Sequence, residues 1–175
     1  MRYLISIAAY IDRISEWSGR AVSWLVLAMV LIVCYDVLMR FVFLQGSVAL
    51  QELEWHIFAL IFLIGSAYTF KHDGHVCVDM LSHSRWMTPG RRAWVQVIGG
   101  LFFLLPFCLL IIISSFDFVE TSYRFAETSP DPGGLAYRYL LKAVIPLAFI
   151  LLLLQGLVSI FRNLLIILGK EEIRR

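Results

Sequence analysis

Four long blocks of apolar residues decide what this chain can fold into. They cover approximately residues 21–43, 53–70, 93–116 and 139–168. A helix needs roughly 20 apolar residues to cross about 30 Å of hydrocarbon, and each block is close to or above that length. Barrel strands would alternate apolar and polar residues, and these blocks do not. The sequence therefore predicts an all-α membrane protein with four transmembrane helices, forming a single domain over residues 1–175.

The composition agrees with lipid as the surrounding medium. The chain is 60% hydrophobic and 16% charged, with a mean hydropathy of +0.80, whereas soluble domains are about a quarter charged. The net charge of +2, without a basic cluster interleaved with aromatics, gives no reason to expect nucleic acid as a partner. The three cysteines form no C-x-x-C pair and no Cys/His cluster with metal-ligand spacing. No metal or other cofactor is expected.

Lysine and arginine are distributed unevenly around the four spans, and this bias predicts the orientation. One side has Arg2, Arg13, Arg20, Lys71, Arg85, Arg91, Arg92, Arg162, Lys170, Arg174 and Arg175. The other side has Arg40, Arg124, Arg138 and Lys142. Because positive residues favour the cytoplasmic side, both termini are expected in the cytoplasm, and the protein in the inner membrane of a bacterium.

The first 20 residues have a pattern of their own. Leu4, Ile7, Ile11 and Ile14 recur at helical spacing and are followed by Trp17. This pattern predicts a short amphipathic helix on the cytoplasmic leaflet. The alternative is a cytoplasmic extension of the first span. A cleaved signal is not expected, because charged residues fill this segment and the following block is too long for a signal sequence.

The loop after the second span contains apolar residues and ends at Pro89-Gly90, so we expect an interfacial segment on the cytoplasmic side. Gly74, His75 and Asp79 lie in it. His75 and Asp79 are four residues apart, as two helical metal ligands could be. Gly74 favours a turn, however, and no further ligand is evident. We interpret these residues as a cytoplasmic turn motif that fixes the segment.

Charged residues at the membrane edge are the first candidates for function, because they are costly in lipid. Asp36 and Arg40 are four residues apart near the end of the first span, and Glu52 and Glu54 are at the start of the second. We predict a structural charge network among these four residues that anchors the ends of two helices. The alternatives are a direct part in translocation and a docking surface for another protein.

The order of several short motifs resembles a known family. Residues 36–43 contain Arg-aromatic-x-Phe, residues 51–54 an acidic pair, residues 62–67 a Gly-small-Ala segment, and residues 71–79 Gly-His-Val-x-Val-Asp. In this order and spacing they resemble the DctQ-like small membrane subunit of TRAP (tripartite ATP-independent periplasmic) transporters. The stretches 50–56 and 129–135 resemble a branch often labelled for mannitol or chloroaromatic compounds, with 2-oxo acid carriers nearby.

The resemblance implies a sodium-coupled transporter whose three components have different functions. A large DctM-like membrane subunit would carry the substrate and sodium sites, and a periplasmic DctP-like substrate-binding protein would deliver organic acids or related solutes. The small subunit would brace the large one and help to dock the binding protein. The docking surface is expected at the periplasmic end, on Gln51, Glu52, Glu54, Glu127, Asp131 and Arg138. The alternative is that the loop before Arg138 is merely solvated.

Two other classes of protein compete with this interpretation. One is the membrane anchor of a respiratory or redox enzyme. A haem between two histidines is not expected, however, because His56 lies at one membrane edge and His72, His75 and His83 at the other. The second class is an autonomous small channel, for which one four-helix bundle has little room. No residue pattern indicates a catalytic nucleophile, so we predict that the chain is not an enzyme.

Overall fold

The chain is built from long helices, as the apolar blocks predict. The computed structural model describes residues 2–72 and 88–169. Its helices in these ranges are α1 (Arg2–Val42), α2 (Val48–Lys71), α3 (Pro89–Gly99), a π-helical turn (Gly100–Leu104), α4 (Leu105–Arg124) and α5 (Arg138–Ile167). In the described ranges, four helical stretches are long and apolar enough to cross a membrane: Ile5–Val42, Val48–Lys71, Gly90–Arg124 and Arg138–Ile167. The predicted four-span all-α architecture is confirmed.

The N-terminal segment is continuous with the first span. α1 runs without interruption from Arg2 to Val42, so the amphipathic segment is the first part of that helix rather than a separate element. Ser15 and Asp12 are buried and hydrogen-bonded to Gln155 of α5. These contacts hold the segment against the bundle. The structure therefore agrees with the alternative interpretation, in which the segment is an extension of the first span.

The segment between α2 and α3 is described only at its ends. Gly74, His75 and Asp79 of the predicted turn motif lie outside the described residues, as does most of the predicted interfacial segment. At the start of α3, the Thr88 hydroxyl accepts a hydrogen bond from the Arg91 amide at 3.4 Å. This contact caps α3 and, together with Pro89 at its first position, sets where α3 begins.

The bundle is organised around α5, which packs on α2, α3 and α4 and also contacts α1. α1 packs antiparallel against α2. We call the end that carries residues 43–47 and 125–137 the loop end. The opposite end, with the start of α1 and the last residues of α2 and α5, is the termini end.

Close helix approach, rather than large interdigitating side chains, holds the helices together. Ala67, Cys108 and Ala148 are at most 1% exposed. Gly19 lies so close to α2 that a Cβ there would be 2.2 Å from Cδ2 of Tyr68. Small residues allow this proximity, which lipid alone does not drive. The large apolar side chains mostly face outward, where lipid or a partner covers them.

The third span changes its helical geometry before Pro106. A proline ring clashes with the carbonyl four residues earlier and lacks an N–H group. The π-helical turn Gly100–Leu104 ends two positions before Pro106, and π-bulges are among the sites at which helices bend. The span therefore continues to Arg124 despite the proline.

Candidate functional site

Glu52 fastens the loop between α4 and α5 to the start of α2. Its carboxylate accepts hydrogen bonds from the Ser129 hydroxyl at 2.5 Å and from the Leu135 amide at 2.6 Å. Glu52 is only 5% exposed, because the loop covers it. Carboxylates that accept charge-assisted hydrogen bonds from a backbone amide are strong anchors. We call residues 125–137 the loop, and Glu52 with its partners the loop anchor.

The loop itself is closed by its own backbone bonds. The Arg138 amide donates to the Glu127 carbonyl at 3.1 Å, and the Ser129 amide to the Leu135 carbonyl at 3.1 Å. Gly134 lies against the anchor: a Cβ at this position would be 2.5 Å from Cβ of Ser129 and 2.8 Å from the Glu52 carboxylate. A side chain at position 134 would therefore separate the loop from Glu52.

Arg138, at the start of α5, extends the loop anchor. Its guanidinium lies 3.6 Å from the Glu52 carboxylate and 5.4 Å from the centre of the Trp55 ring. The ion pair and the cation–π contact both join α5 to the first turns of α2. Thus one carboxylate contacts two elements: the loop and α5.

Glu127 makes a second attachment of the loop. Its carboxylate accepts hydrogen bonds from the ammonium group of Lys142 and, at 2.6 Å, from the Ser122 hydroxyl. The hydrogen bond from Lys142 and then the one from Ser122 hold the pKa of the Glu127 carboxyl below its ordinary value of 4.5. Glu127 therefore stays ionised at neutral pH and ties the loop to α4 and α5.

The four residues of the predicted charge network lie in separate groups. Arg40 donates to Asp36 at 2.6 Å within α1, whereas the ion pair of Glu52 within the described residues is with Arg138. Asp36 Oδ1 and Glu54 Oε1 are buried, and neither has a hydrogen-bond partner among residues 2–72 and 88–169. Both oxygens can therefore accept a hydrogen bond from a further donor.

The residues predicted for docking differ in exposure. Asp131, at the turn of the loop, and Gln51, beside the loop anchor, are exposed. Glu54, Glu127 and Arg138 are half-buried. Glu52 is covered by the loop. The side chains open to a partner at the loop end are therefore those of Gln51 and Asp131, while Glu52, Glu127 and Arg138 shape the loop from beneath.

A second polar cluster joins α1 and α5 at the termini end. Gln155 of α5 accepts a hydrogen bond from Ser15 at 2.9 Å and donates to Asp12 at 3.0 Å. Arg162 of α5 also donates to Asp12. We call these four residues the α1–α5 lock.

The end of α2 is tied to α1 beside this lock. The ammonium group of Lys71 lies 2.7 Å from the Glu16 carboxylate and also donates to the Asp12 carbonyl at 3.1 Å. His72 contacts the same carboxylate at 3.0 Å. α1 is therefore fixed to both α2 and α5 at the termini end.

We did not predict the contacts of Gln155 with Ser15 and Asp12. The sequence did contain an indication that this segment makes polar contacts. Asp12 and Glu16 are acidic residues four positions apart on an amphipathic segment, in a part of the chain otherwise rich in basic residues. Ser129, as a partner of Glu52, was also missed. It lies 77 positions away, and a loop without periodicity gives no indication of which side chain it meets.

Comparison with family models decides what kind of protein this is. Residues 29–165 match the family described as tripartite ATP-independent periplasmic transporters, DctQ component. The chain belongs to this family. The match includes the four spans from the middle of α1 to near the end of α5. Comparison with curated protein sequences gives no match.

Family membership settles the broad class. The DctQ component is a multi-pass membrane component of TRAP transporters, not an enzyme, and the family works with DctM and DctP components. The resemblance seen in the motifs is therefore confirmed at the level of the family. The family also decides against the interpretation as an enzyme anchor.

Proposed function

We propose that this chain is the accessory subunit of a sodium-coupled TRAP transporter in a bacterial inner membrane. In this proposal it braces the large DctM-like subunit and helps to dock the DctP-like solute-binding protein. The transported solutes are organic acids or related compounds. Both termini lie in the cytoplasm, so that the loop end faces the periplasm.

The observation that carries the proposal is the placement of polar groups at the two ends of the helices. Glu16 and Asp36 of α1, which lie near opposite ends of the span, are 20 positions apart, or about 30 Å along a helix. This is about the thickness of the hydrocarbon layer. Between the ends, close contacts are made by residues such as Ala67, Cys108 and Ala148. A solute would need polar groups along its path, so we assign the path to a companion subunit.

The architecture also suits a brace. Glu52 attaches the loop to α2, and Glu127 attaches it to α4 and α5. These attachments give the loop end a defined surface, in contrast to a freely solvated loop. Exposed Gln51 and Asp131 lie on that surface. A rigid, partly acidic surface of this kind can orient a binding protein above a membrane partner.

Reconstitution tests the division of labour. Liposomes should receive the large subunit with or without this chain, and uptake should be measured with solute-loaded binding protein under a sodium gradient. We expect uptake only when both membrane components are present, and none with this chain alone. Flux through this chain alone, or full uptake without it, would contradict the proposal.

Docking is tested by charge reversal at the loop end. Asp131→Lys should raise the concentration of loaded binding protein needed for half-maximal uptake, while leaving the amount of assembled membrane complex unchanged. Glu120→Lys is the matched control, because Glu120 is exposed on α4 near the same end and pairs with Arg124 of its own helix. Unchanged kinetics for Asp131→Lys would argue against docking at the loop.

Orientation is tested separately. Asp131→Cys in a variant lacking the native cysteines should react with a membrane-impermeant maleimide in intact cells. Labelling that appears only after the cells are opened would place the loop end in the cytoplasm and refute the proposed topology.

A further inference from the structure

Two carboxylate oxygens near the loop end are buried and lack a donor. Asp36 of α1 is 3% exposed, and its Oδ2 accepts a hydrogen bond from Arg40 at 2.6 Å. Asp36 Oδ1 and Glu54 Oε1 are the two oxygens that have no hydrogen-bond partner among residues 2–72 and 88–169. Glu54 as a whole is only half-buried. Because buried polar groups in proteins are normally paired, these two oxygens point to a donor from elsewhere.

The register of α1 against α2 places the two carboxylates close together. Three contacts fix that register, and they join Glu16 to Lys71, Gly19 to Tyr68, and Val22 to Gly65. From each contact to the next, α1 advances by three residues and α2 goes back by three. Continued residue for residue, this register puts Asp36 level with Gln51 of α2. Glu54 is three positions from Gln51, which is about 4.5 Å along the helix.

Both side chains also lie on the facing sides of the two helices. Asp36 is 14 positions from Val22, and Glu54 is 14 positions from Tyr68. Positions two heptads apart stay on about the same side of a helix. Each side chain leans towards the N-terminus of its own helix, so in this antiparallel pair Asp36 and Glu54 lean towards each other. We call these two residues the carboxylate pair.

The basic residues at the loop end already have partners. There are four of them, and their ion pairs are Arg40 with Asp36, Arg124 with Glu120, Arg138 with Glu52, and Lys142 with Glu127. Each base has its own carboxylate, and Glu54 is an additional one. Within the described part of the chain, no basic side chain of the loop end is left to neutralise Glu54.

The depth of Glu54 restricts what can supply the missing charge. Asp36 lies near the edge of the hydrocarbon layer, and Glu54 lies about 4.5 Å further towards its middle. Lipid tails offer no cation at this depth, and the headgroups are on the other side of that edge. A carboxylate in this position is costly unless it is paired.

The donor set suits a basic side chain better than a metal ion. A hard cation such as Ca²⁺ takes six to eight oxygen ligands. The described residues contain no group of three or more His, Cys, Asp or Glu side chains that could hold a metal ion. A guanidinium carries several donors in one plane and is more weakly hydrated than an ammonium, so it can serve both carboxylates at once.

The surface beside Glu54 is open to another helix. Gln51 and Phe58, three positions before and four positions after Glu54, are both exposed. Residues at these spacings share one face of a helix, so a neighbouring helix can reach Glu54 over this face. A second copy of this chain would bring to this level only bases that already have a carboxylate. A different chain therefore fits better.

We propose that the carboxylate pair receives a basic side chain, best an arginine, from a transmembrane helix of the large membrane subunit. This inference rests on the proposed function and names a contact through which the brace acts. The half-buried carboxylate of Glu54 makes the first contact. When the Glu54 side chain turns to admit the donor, Asp36 Oδ1 becomes the second acceptor.

Removing one charge at constant size tests the inference. Glu54→Gln should reduce the amount of large subunit that co-purifies with this chain by about tenfold or more, because the incoming base loses its counter-charge. The melting temperature of the isolated chain should stay the same or rise, because the variant lacks an unneutralised charge. Asp117→Asn is the matched control, since Asp117 is an exposed acidic residue of α4 near the same end, and it should co-purify normally.

Three results would overturn the inference. Normal co-purification of Glu54→Gln would mean that a proton or a lipid headgroup suffices for Glu54. A lower melting temperature of the isolated variant would show that Glu54 has its partner within this chain. If the isolated parent chain is a dimer that Glu54→Gln converts into monomers, the occupant is a second copy.

A double-mutant cycle with the large subunit gives an independent readout. Each Arg and Lys in its spans should be replaced by Gln in turn, and co-purification measured with the parent chain and with Glu54→Gln. One replacement should weaken the complex with the parent chain and strengthen it with Glu54→Gln. The inference is wrong if no replacement behaves in this way. Uptake without this chain would refute the proposed function instead, and because co-purification is measured without transport, the two failures are distinguishable.

Discussion

The two ends of the bundle use polar groups in different ways. At the loop end, Glu52 holds a loop by its backbone and a hydroxyl group, so its contacts shape a surface. At the termini end, the α1–α5 lock and the Glu16–Lys71 pair join three helices through their side chains, so these contacts set how the helices pack. The comparison teaches that polar groups can specify either a surface or a packing arrangement. The following changes should separate these two roles.

The largest effect is expected where α1 and α2 approach most closely. Gly19→Val would place a side chain within 2.2 Å of Tyr68, and contact with the Cβ of Tyr68 prevents a simple rotation from relieving the clash. Overpacking of this kind typically costs about 1–3 kcal/mol. We expect a lower melting temperature of the purified protein. Gly99→Val, where nothing lies within 4 Å, should change it far less.

Removing the centre of the α1–α5 lock should also destabilise the whole bundle, by a smaller amount. Gln155→Leu deletes the hydrogen bonds to Ser15 and Asp12 and leaves a buried carboxylate short of a donor. We expect a loss of about 1–2 kcal/mol in unfolding free energy, measured by denaturation in detergent. Gln96→Leu, at an exposed position of α3, is the control. Equal stability of Gln155→Leu and the parent protein would show that the lock does not set the packing.

At the loop end, the expected effect is local. Glu52→Ala removes the acceptor for the Leu135 amide and the Ser129 hydroxyl. Hydrogen exchange at Leu135 should become faster by about tenfold, while the amides of α5 beyond its first turns keep their protection. Glu120→Ala serves as the control. Faster exchange throughout α5 would show that Glu52 holds the helices as well as the loop, and the contrast between the two ends would be lost.

The smallest effect concerns pH. Because the pKa of Glu127 is lowered in the folded protein, its contribution to stability is fully present above its ordinary value of 4.5. That contribution declines as the pH falls below 4.5 and the folded carboxylate becomes protonated. Protease cleavage in the loop should therefore increase on acidification. In Glu127→Gln this pH dependence should be weaker, and an unchanged dependence would mean that another group controls the loop.

The sequence predicted well those features that depend on long apolar runs. The ends of α2 and α5 lie close to the predicted spans because charged residues bound the apolar blocks. The N-terminal helix was harder, since an amphipathic pattern is the same whether the segment lies on a membrane or continues a span. The contacts with Asp12 and Ser15 distinguish the two cases, and they depend on Gln155, 140 or more positions away.

The candidate site shows the same limit at the level of single residues. Proximity in the chain suggested that Glu52 would join Asp36 and Arg40. Its side chain instead meets the loop, because the direction in which a residue projects depends on how two helices are rotated about their axes. Gly134 is a case in which composition and structure agree. Residues 129–134 are rich in proline, glycine and other residues that favour turns, and the close approach of position 134 to Ser129 requires a glycine.

The small size of the buried residues has a consequence for the life of the protein in the cell. Among residues 2–72 and 88–169, the largest side chains that are fully buried belong to Cys108 and Ser15, so an isolated copy gains little cohesion from its own interior. We expect newly made copies without a companion to be degraded quickly, and synthesis alongside the companion to prolong their lifetime. Pulse-chase measurements with and without the large subunit would reveal whether the cell adjusts the amount of this chain by removing the excess.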